Sequence, residues 1–321
     1  MSAADNEPLP PPPPPQQQQQ AAEAFQKCAY MIDVGDLLFQ GAESRVYRCS
    51  FYGTPAVCKH RFAKRYRNPT LDERLRAQRT RREARALERC LKKGIRAPRL
   101  LGADYINTFL VMSHEEGPTL KEALDAEHAR WCTTMAGSQA VVSADTTPSP
   151  VMAALLRSIG VVVATLHNAN MVHGDLTTSN FISTFEPPTT AAASEASNGA
   201  PSNHVSTSTT TTTAAAVTTA GARGLLSASP SLVVTHALPT AQDIVVLDFG
   251  LISEKNSAEE RAVDLYVLER AITSTHPYLS SYASETILDG YRSAADPKKG
   301  AETLKRLEAV RARGRKRSMV G

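Results

Sequence analysis

Asp175 and Asn180 stand five residues apart in the run His173-Gly174-Asp175-Leu176-Thr177-Thr178-Ser179-Asn180. A carboxylate there can accept or orient the proton of an attacking hydroxyl, and the amide can offer an oxygen to a magnesium ion. Farther along, the apolar run Val245-Val246-Leu247 ends in Asp248-Phe249-Gly250. A carboxylate at the end of a buried strand suits hard Mg²⁺, which prefers carboxylate and phosphate oxygens. Each motif alone has a plainer reading, as a capped polar loop or a common tripeptide. In this order, they point to phosphoryl transfer, with Asp175 for the attacking oxygen and Asn180 and Asp248 for the metal.

Two further features would serve the same chemistry. Val57-Cys58-Lys59 lies in a β-prone run, and Glu83 follows in a long helical stretch. A strand lysine held by a helix glutamate positions phosphates in protein kinases. Glu73 and Glu88 share that helical region, so the partner of Lys59 is open by spacing alone. Between the first two strands, Gln40-Gly41-Ala42-Glu43-Ser44-Arg45-Val46-Tyr47 is placed to cradle phosphates with backbone N–H groups, through Gly41, Ala42, Glu43, Ser44 and Val46. It holds one glycine and fails the G-x-G-x-x-G pattern. Met112, Ser113, His114 and Glu115 follow a strand at the expected hinge, where backbone groups would meet the adenine edge of ATP. D-x-x-x-x-N followed by D-F-G is the kinase pattern.

The elements that must position these residues are legible in outline. Asp36 to Phe39, Arg45 to Ser50 and Ala56 to His60 read as three antiparallel strands separated by Gly41, Gly53 and Pro55. Thr70 to Lys93 is free of Gly and Pro and ends at Gly94, so it reads as helix. Strands are expected near Arg99 to Asp104 and Thr108 to Met112. Val151 to Ala169 reads as a buried apolar helix and Ile244 to Leu247 as a buried strand. Helices follow near Ala258 to Thr273, Leu279 to Ser293 and Pro297 to Arg313. Strands first and helices afterwards predict an α+β, two-lobed plan.

Composition sets limits. Apolar residues make up 42%, slightly low for a fully globular chain. The non-core length is visible: Pro10 to Pro15 with Gln16 to Gln20, a Ser/Thr/Ala/Pro stretch over about 133–150, and a Thr/Ala-rich stretch over about 187–240. The predicted organisation is a tail over 1–28, an N-lobe over 29–115, a C-lobe over 116–310 carrying both insertions, and a basic tail over 311–321. The five cysteines are odd in number and form no C-x-x-C pair, which argues against a disulfide framework or structural zinc and fits a reducing compartment. The longest apolar run, about Ile159 to Leu166, falls short of a bilayer span of roughly 20 residues, and the N-terminus shows no signal pattern. Arg61, Lys64, Arg65, Arg67, Arg74, Arg76, Arg79, Arg81, Arg82 and Arg85 crowd one region. They make either a solvated helix face or a surface for a nucleic-acid backbone.

The chain resembles the KEOPS-complex protein kinase family, also called the p53-related protein kinase family. The likeness covers nearly everything from Ala29 onward except the insertions. It is carried by Gly41-Ala42-Glu43, Cys58-Lys59-His60-Arg61-Phe62 with Tyr66-Arg67 and Pro69, Glu83-Ala84-Arg85-Ala86-Leu87, and the His173–Asn180 loop. Asp248-Phe249-Gly250-Leu251, Val263-Asp264-Leu265-Tyr266-Val267-Leu268-Glu269-Arg270 and the tail Arg311 to Gly321 complete it. The resemblance implies a small atypical Ser/Thr kinase and ATPase related to the RIO kinases, using ATP with Mg²⁺, or Mn²⁺ in its place. Lys59, Glu83 and Asp175 would be catalytic. It implies partners too: a metalloprotein threonylcarbamoyl transferase subunit, a small regulatory subunit and tRNA, in support of threonylcarbamoyladenosine formation. The tail, with Arg313, Arg315, Lys316 and Arg317, would dock on the metalloprotein. Ser318, after three basic residues, is a candidate target for a basophilic kinase. The expected location is cytoplasm and nucleus, with no membrane.

Departures from ordinary protein kinases bear on function. Gly174 replaces the arginine of H-R-D, Thr177 replaces the usual lysine, and no A-P-E segment separates Gly250 from the next helix. Peptide specificity should therefore be poor, and regulation should come from partners. Two other readings remain at this level: a nucleotide-gated scaffold with little catalysis of its own, and a small-molecule phosphotransferase.

Overall fold

The computed structural model describes residues 32–136, 149–186 and 238–318, with side chains placed as far as Gly314. The tail over 1–28 with Cys28, the insertion residues 137–148 and 187–237, and the side chains of Arg315, Lys316, Arg317 and Ser318 lie outside the described residues.

Five strands, β1 (Ile32–Gln40), β2 (Arg45–Phe51), β3 (Thr54–His60), β4 (Leu100–Asp104) and β5 (Phe109–Ser113), form one antiparallel sheet in the order β1-β2-β3-β5-β4. Helix α1 (Pro69–Lys92) packs on one face of it. The Asn68 side chain accepts from the Leu71 N–H, and Pro69 opens the first turn. Thr80, Glu83, Ala84, Ala86, Leu87 and Cys90 share the buried face at helical spacing. The other face of the sheet buries Cys49, Ala56, Cys58, Phe109 and Val111.

Below this layer the chain is mostly helical. Helix α2 (Leu120–Ala136) precedes α3 (Pro150–Asn168), and a short pair, β6 (Phe181–Ser183) and β7 (Ile244–Val246), follows it in the fold. Helices α4 (Ala258–Thr275), α5 (Ala283–Ala294) and α6 (Pro297–Ser318) complete the lobe. Helix α3 is long and apolar enough by length and composition to cross a bilayer, although its apolar run looked too short in sequence. Its side chains from Met152 to Leu166 are largely buried against the neighbouring elements. Gly160 of α3 faces the Ile287 carbonyl of α5, and Gly290 of α5 faces the Arg157 carbonyl of α3. A Cβ at either glycine would collide with backbone. These two helices approach closely because each offers a glycine to the other.

The α+β two-lobed plan expected from sequence is the observed one. Two elements were not anticipated. Helix α2 buries Leu120, Leu124 and Glu127 on one face and runs to Ala136, four residues into the stretch read as a loop from 133. Strand β6 is only three residues long and exists through its pairing with β7. At the far margin of the long insertion, Leu238–Thr240 belongs to the body: Ser158 bonds the Pro239 carbonyl, and Thr240 with Asp243 forms a capping box. Helix α6 also continues past Arg313, where it was expected to end, to Ser318, and so takes in most of the basic tail expected from 311.

Candidate active site

The strand order places β3 at the centre of the sheet beside β5, and Lys59 sits near its end, 4% exposed. Its Nζ lies 2.9 Å from Glu83 Oε1 and 2.6 Å from Asp248 Oδ1. Glu83 is 1% exposed on the buried face of α1. One ammonium thus joins the sheet, the helix and the segment after β7. Glu83 rather than Glu73 or Glu88 is the partner of Lys59, because only its position faces the sheet. The second oxygen of Glu83 accepts from Arg61, which is buried here and not part of the solvated or nucleic-acid-facing surface in which the sequence placed it. Two cations on one buried carboxylate offset its desolvation.

Asp248 adopts a left-handed backbone, φ 54°, and its Oδ1 accepts from the Gly250 N–H at 3.2 Å. Burial pushes this carboxyl up, but the Lys59 charge and hydrogen bond, the Arg61 charge and the Gly250 N–H outweigh it and hold its pKa at about 2. The group is therefore anionic at all physiological pH values.

The loop bearing Asp175 is fixed from several sides. Asn180 Nδ2 donates to the Asp175 carbonyl at 2.8 Å and reaches Asp175 Oδ2 at 3.3 Å. The Leu247 N–H donates to the Asn180 carbonyl at 2.8 Å, so the residue before Asp248 is tied to the loop. His173 is fully buried; its Nε2 lies 2.9 Å from the Leu247 carbonyl, and its ring packs on Phe249. Asp264 of α4 accepts from the backbone N–H groups of both His173 and Gly174, each at 2.8 Å. Gly174 has φ 82°, and a Cβ there would lie 2.8 Å from the Leu251 carbonyl. That close passage accounts for a glycine where ordinary kinases carry arginine. Beyond it, Val172 and Ser253 exchange backbone hydrogen bonds, folding the segment after Asp248 back beneath the loop.

The donor set suits magnesium held together with phosphates. Pinning Asn180 Nδ2 on Asp175 leaves its Oδ1 as the available ligand atom, and Asp248 is ionised. A carboxylate and an amide oxygen are the hard ligands such an ion takes, with substrate phosphates supplying others. Among the described residues there is no cluster of three His, Cys, Asp or Glu side chains that could hold a metal unaided.

The loop Gly41-Ala42-Glu43-Ser44 closes with a Gly41 N–H to Ser44 carbonyl bond of 2.9 Å. It is held from outside: Lys64 donates to the Ala42 carbonyl, and Glu43 pairs with Arg67 and Arg79. Val46 packs against the core beneath it. Met112 is buried one residue before the end of β5, Ser113 ends the strand and donates to Glu115 at 2.6 Å, and His114 is exposed. These residues link β5 to α2. Arg313 pairs with Glu259 instead of standing free. Arg61, Asp264 and His276 are what the sequence reading missed. The first two stand inside the motif runs quoted above, and only their contacts give them a part.

No family model matches the chain. It is 38% identical over 297 residues to the EKC/KEOPS complex subunit bud32 of Aspergillus clavatus, covering 89% of this chain and 91% of that protein. The EKC/KEOPS complex subunit Tp53rkb of Mus musculus is 35% identical over 288 residues, 89% of each. The chain belongs to this family of EKC/KEOPS complex subunits. A more distant family member, bud32 of Dictyostelium discoideum, is 30% identical over 295 residues, 92% of this chain and 88% of that one. Among solved structures, the Rio2 kinase–ADP/Mg²⁺–phosphoaspartate complex of Chaetomium thermophilum aligns at 14% identity and TM-score 0.45, over 94% of this chain and 75% of that one. These family members are matched over 89% to 92% of this chain.

Proposed function

We propose that this chain is an ATP- and Mg²⁺-dependent atypical serine/threonine kinase and ATPase, working as the kinase subunit of a KEOPS-type assembly in threonylcarbamoyladenosine modification of tRNA. The observation that carries the catalytic reading is Lys59 bridging buried Glu83 and ionised Asp248, with the Asp175–Asn180 loop tied to the residue before Asp248. Lys59 would neutralise phosphate oxygens while Glu83 and Arg61 keep it in place. Asp248 and Asn180 would hold Mg²⁺, which supplies charge neutralisation on the transferring phosphoryl group. Asp175 would take the proton of a water or of a Ser/Thr hydroxyl. The short run Leu251–Ser257 between the site and α4 leaves little to bind peptide, which favours water or a partner-presented hydroxyl as acceptor.

The same reading includes tRNA. The basic stretch divides in two. Arg61, Arg67, Arg76 and Arg79 are tied to Glu83, Glu43 and Asp72. Arg74, Arg82 and Arg85 have no acidic partner among the described residues. They line two adjoining hollows of about 250 and 400 Å³, the larger also bordered by Arg89 and the Leu251–Lys255 segment. A row of unpaired guanidinium groups suits a phosphate backbone.

The test is ADP release by the assembled complex with tRNA. Asp175→Ala should lower it by about 100-fold or more, the scale of a lost general base. Turnover equal to wild type would overturn the mechanism, and tRNA modification surviving undiminished would favour the scaffold reading.

A further inference from the structure

His276 stands at the C-terminal end of α4, fully buried, in a site that none of the chemistry above uses. Its Nδ1 lies 2.9 Å from Asp125 Oδ1 of α2, and its Nε2 lies 3.3 Å from Thr178 Oγ1. Tyr278 also donates to Asp125 Oδ1, at 2.8 Å, and His128 stacks on the Tyr278 ring at 3.8 Å. Thr178 is 2% exposed and lies on the catalytic loop, three residues after Asp175 and two before Asn180.

We propose that His276 is a positioning residue for the catalytic loop: oriented by Asp125, it holds Thr178 from beneath and so sets where Asp175 and Asn180 stand. The proposal rests on the reading that those two residues serve phosphoryl transfer. The carboxylate of Asp125 can only accept, so the imidazole carries its proton on Nδ1. Nε2 is then an acceptor, and the Thr178 hydroxyl donates to it. Burial lowers the pKa of His276 despite the opposing charge of Asp125, with Lys121 adding to the lowering, which agrees with a neutral ring. Apart from the bonds within the loop between Asn180 and Asp175, the ties described above meet it at its two ends, through the Asp264 carboxylate at His173–Gly174, the His173 ring on the Leu247 carbonyl, and the Leu247 N–H at Asn180. Thr178 is the middle point, and His276 joins it to α2 and α4 at once. A shift of about 1 Å in a positioned group can cost on the order of 100-fold in rate, so a single hydroxyl contact here has leverage on turnover without touching nucleotide.

Thr178→Val removes the hydroxyl and keeps the shape; Thr178→Ser keeps the hydroxyl. In the assembled complex, Thr178→Val and His276→Phe should each lower kcat for ATP turnover by ~10-fold or more, as small misplacements do. KM for ATP should change little and Mg·ADP affinity should fall much less than kcat, Thr178→Ser should recover most of the rate, and the double variant should be no slower than the slower single. Amide exchange at 175–180 should quicken in Thr178→Val while α1 is unchanged. Wild-type turnover and exchange in Thr178→Val would overturn the proposal, as would equal loss of Mg·ADP binding and rate. Asp175→Ala measured alongside separates the two failures. If it is inactive while Thr178→Val is normal, only the positioning role falls; if it is fully active, the catalytic reading falls and takes this role with it.

Discussion

Glu83 shows how one buried carboxylate organises a site. It is 1% exposed and shared between Lys59 and Arg61. Arg61→Ala leaves it with one cation, and breaking part of a buried ion network should cost roughly 2–3 kcal/mol, read as a lower urea midpoint. Lys59→Ala should cost stability too, but with a much larger loss of ATP turnover, since of the two cations Lys59 is the one that also pairs directly with Asp248. Asp248 has a depressed pKa of about 2, so its favourable charge contacts are complete above about pH 4 and are lost only as pH falls toward 2. Its pairing with Lys59 should therefore not limit the enzyme in mild acid. His60 behaves differently. It is buried, and burial followed by the Arg76 and Arg45 charges lowers its pKa to about 4. The unfolded chain takes up that proton near pH 6.5 and the folded chain does not, so stability falls as pH drops between those values. From pH 7 to pH 5 this group should remove roughly 2 kcal/mol. Urea unfolding at both pH values, with His60→Gln as the variant lacking that slope, checks it.

At the scale of elements, the close approach of α3 and α5 and the anchoring of the loop on α4 both depend on single positions. Gly290→Ala would drive a methyl into the Arg157 carbonyl. Backbone cannot step aside as a side chain does, so a loss of about 3 kcal/mol is expected, at the upper end for overpacking; thermal unfolding reads it. Asp264 accepts from two backbone N–H groups and lies 3.2 Å from His167 Nε2. Asp264→Asn would set an NH₂ against one of those donors. A loss of about 2 kcal/mol in stability is expected from the unmet bond, together with slower ATP turnover because the Asp175 loop loses its anchor. Nucleotide affinity should change much less, since Asp264 touches no residue of the proposed phosphate site.

For the whole molecule, the division between paired and unpaired arginines decides where a polyanion would lie. Arg74, Arg82 and Arg85 face outward from α1, whereas Arg61, Arg76 and Arg79 are committed internally. Arg82→Ala or Arg85→Ala should weaken tRNA binding to the complex and reduce the slope of log K against log salt by about 1 for each lost phosphate contact. Arg76→Ala should instead lower stability, because its bonds go to Asp72 and Thr108. Helix α6 is clamped on α4 by Arg306 and Arg313 on Glu259 and by Arg311 on Glu269. A docking role for the tail would thus begin beyond Arg313 or require that pair to open.

Much of this was legible in the residues themselves. Runs rich in β-branched and aromatic residues between turn residues marked the sheet, the Gly/Pro-free arginine-rich run marked α1, and the order of Lys59, Asp175, Asn180 and Asp248 marked the candidate site, because each depends on neighbours along the chain. Short β6 carried no such signal, since three residues become a strand only when β7 arrives beside them from across a long insertion. Helix α2 had a readable face in Leu120, Leu124 and Glu127, but charged residues crowd it and the low-complexity composition after it drew the boundary too early. The choice of Glu83 over Glu73 and Glu88 needed the helix to be seated, since all three share one helix and only one faces Lys59. Arg61, Asp264 and His276 likewise act through partners 22 to 151 residues away. Local sequence sets which groups can do chemistry and which segments are strand or helix, because those depend on neighbours along the chain. Which carboxylate meets which cation, and which buried side chain steadies the loop, is decided where distant segments pack, and no spacing in the sequence records that distance.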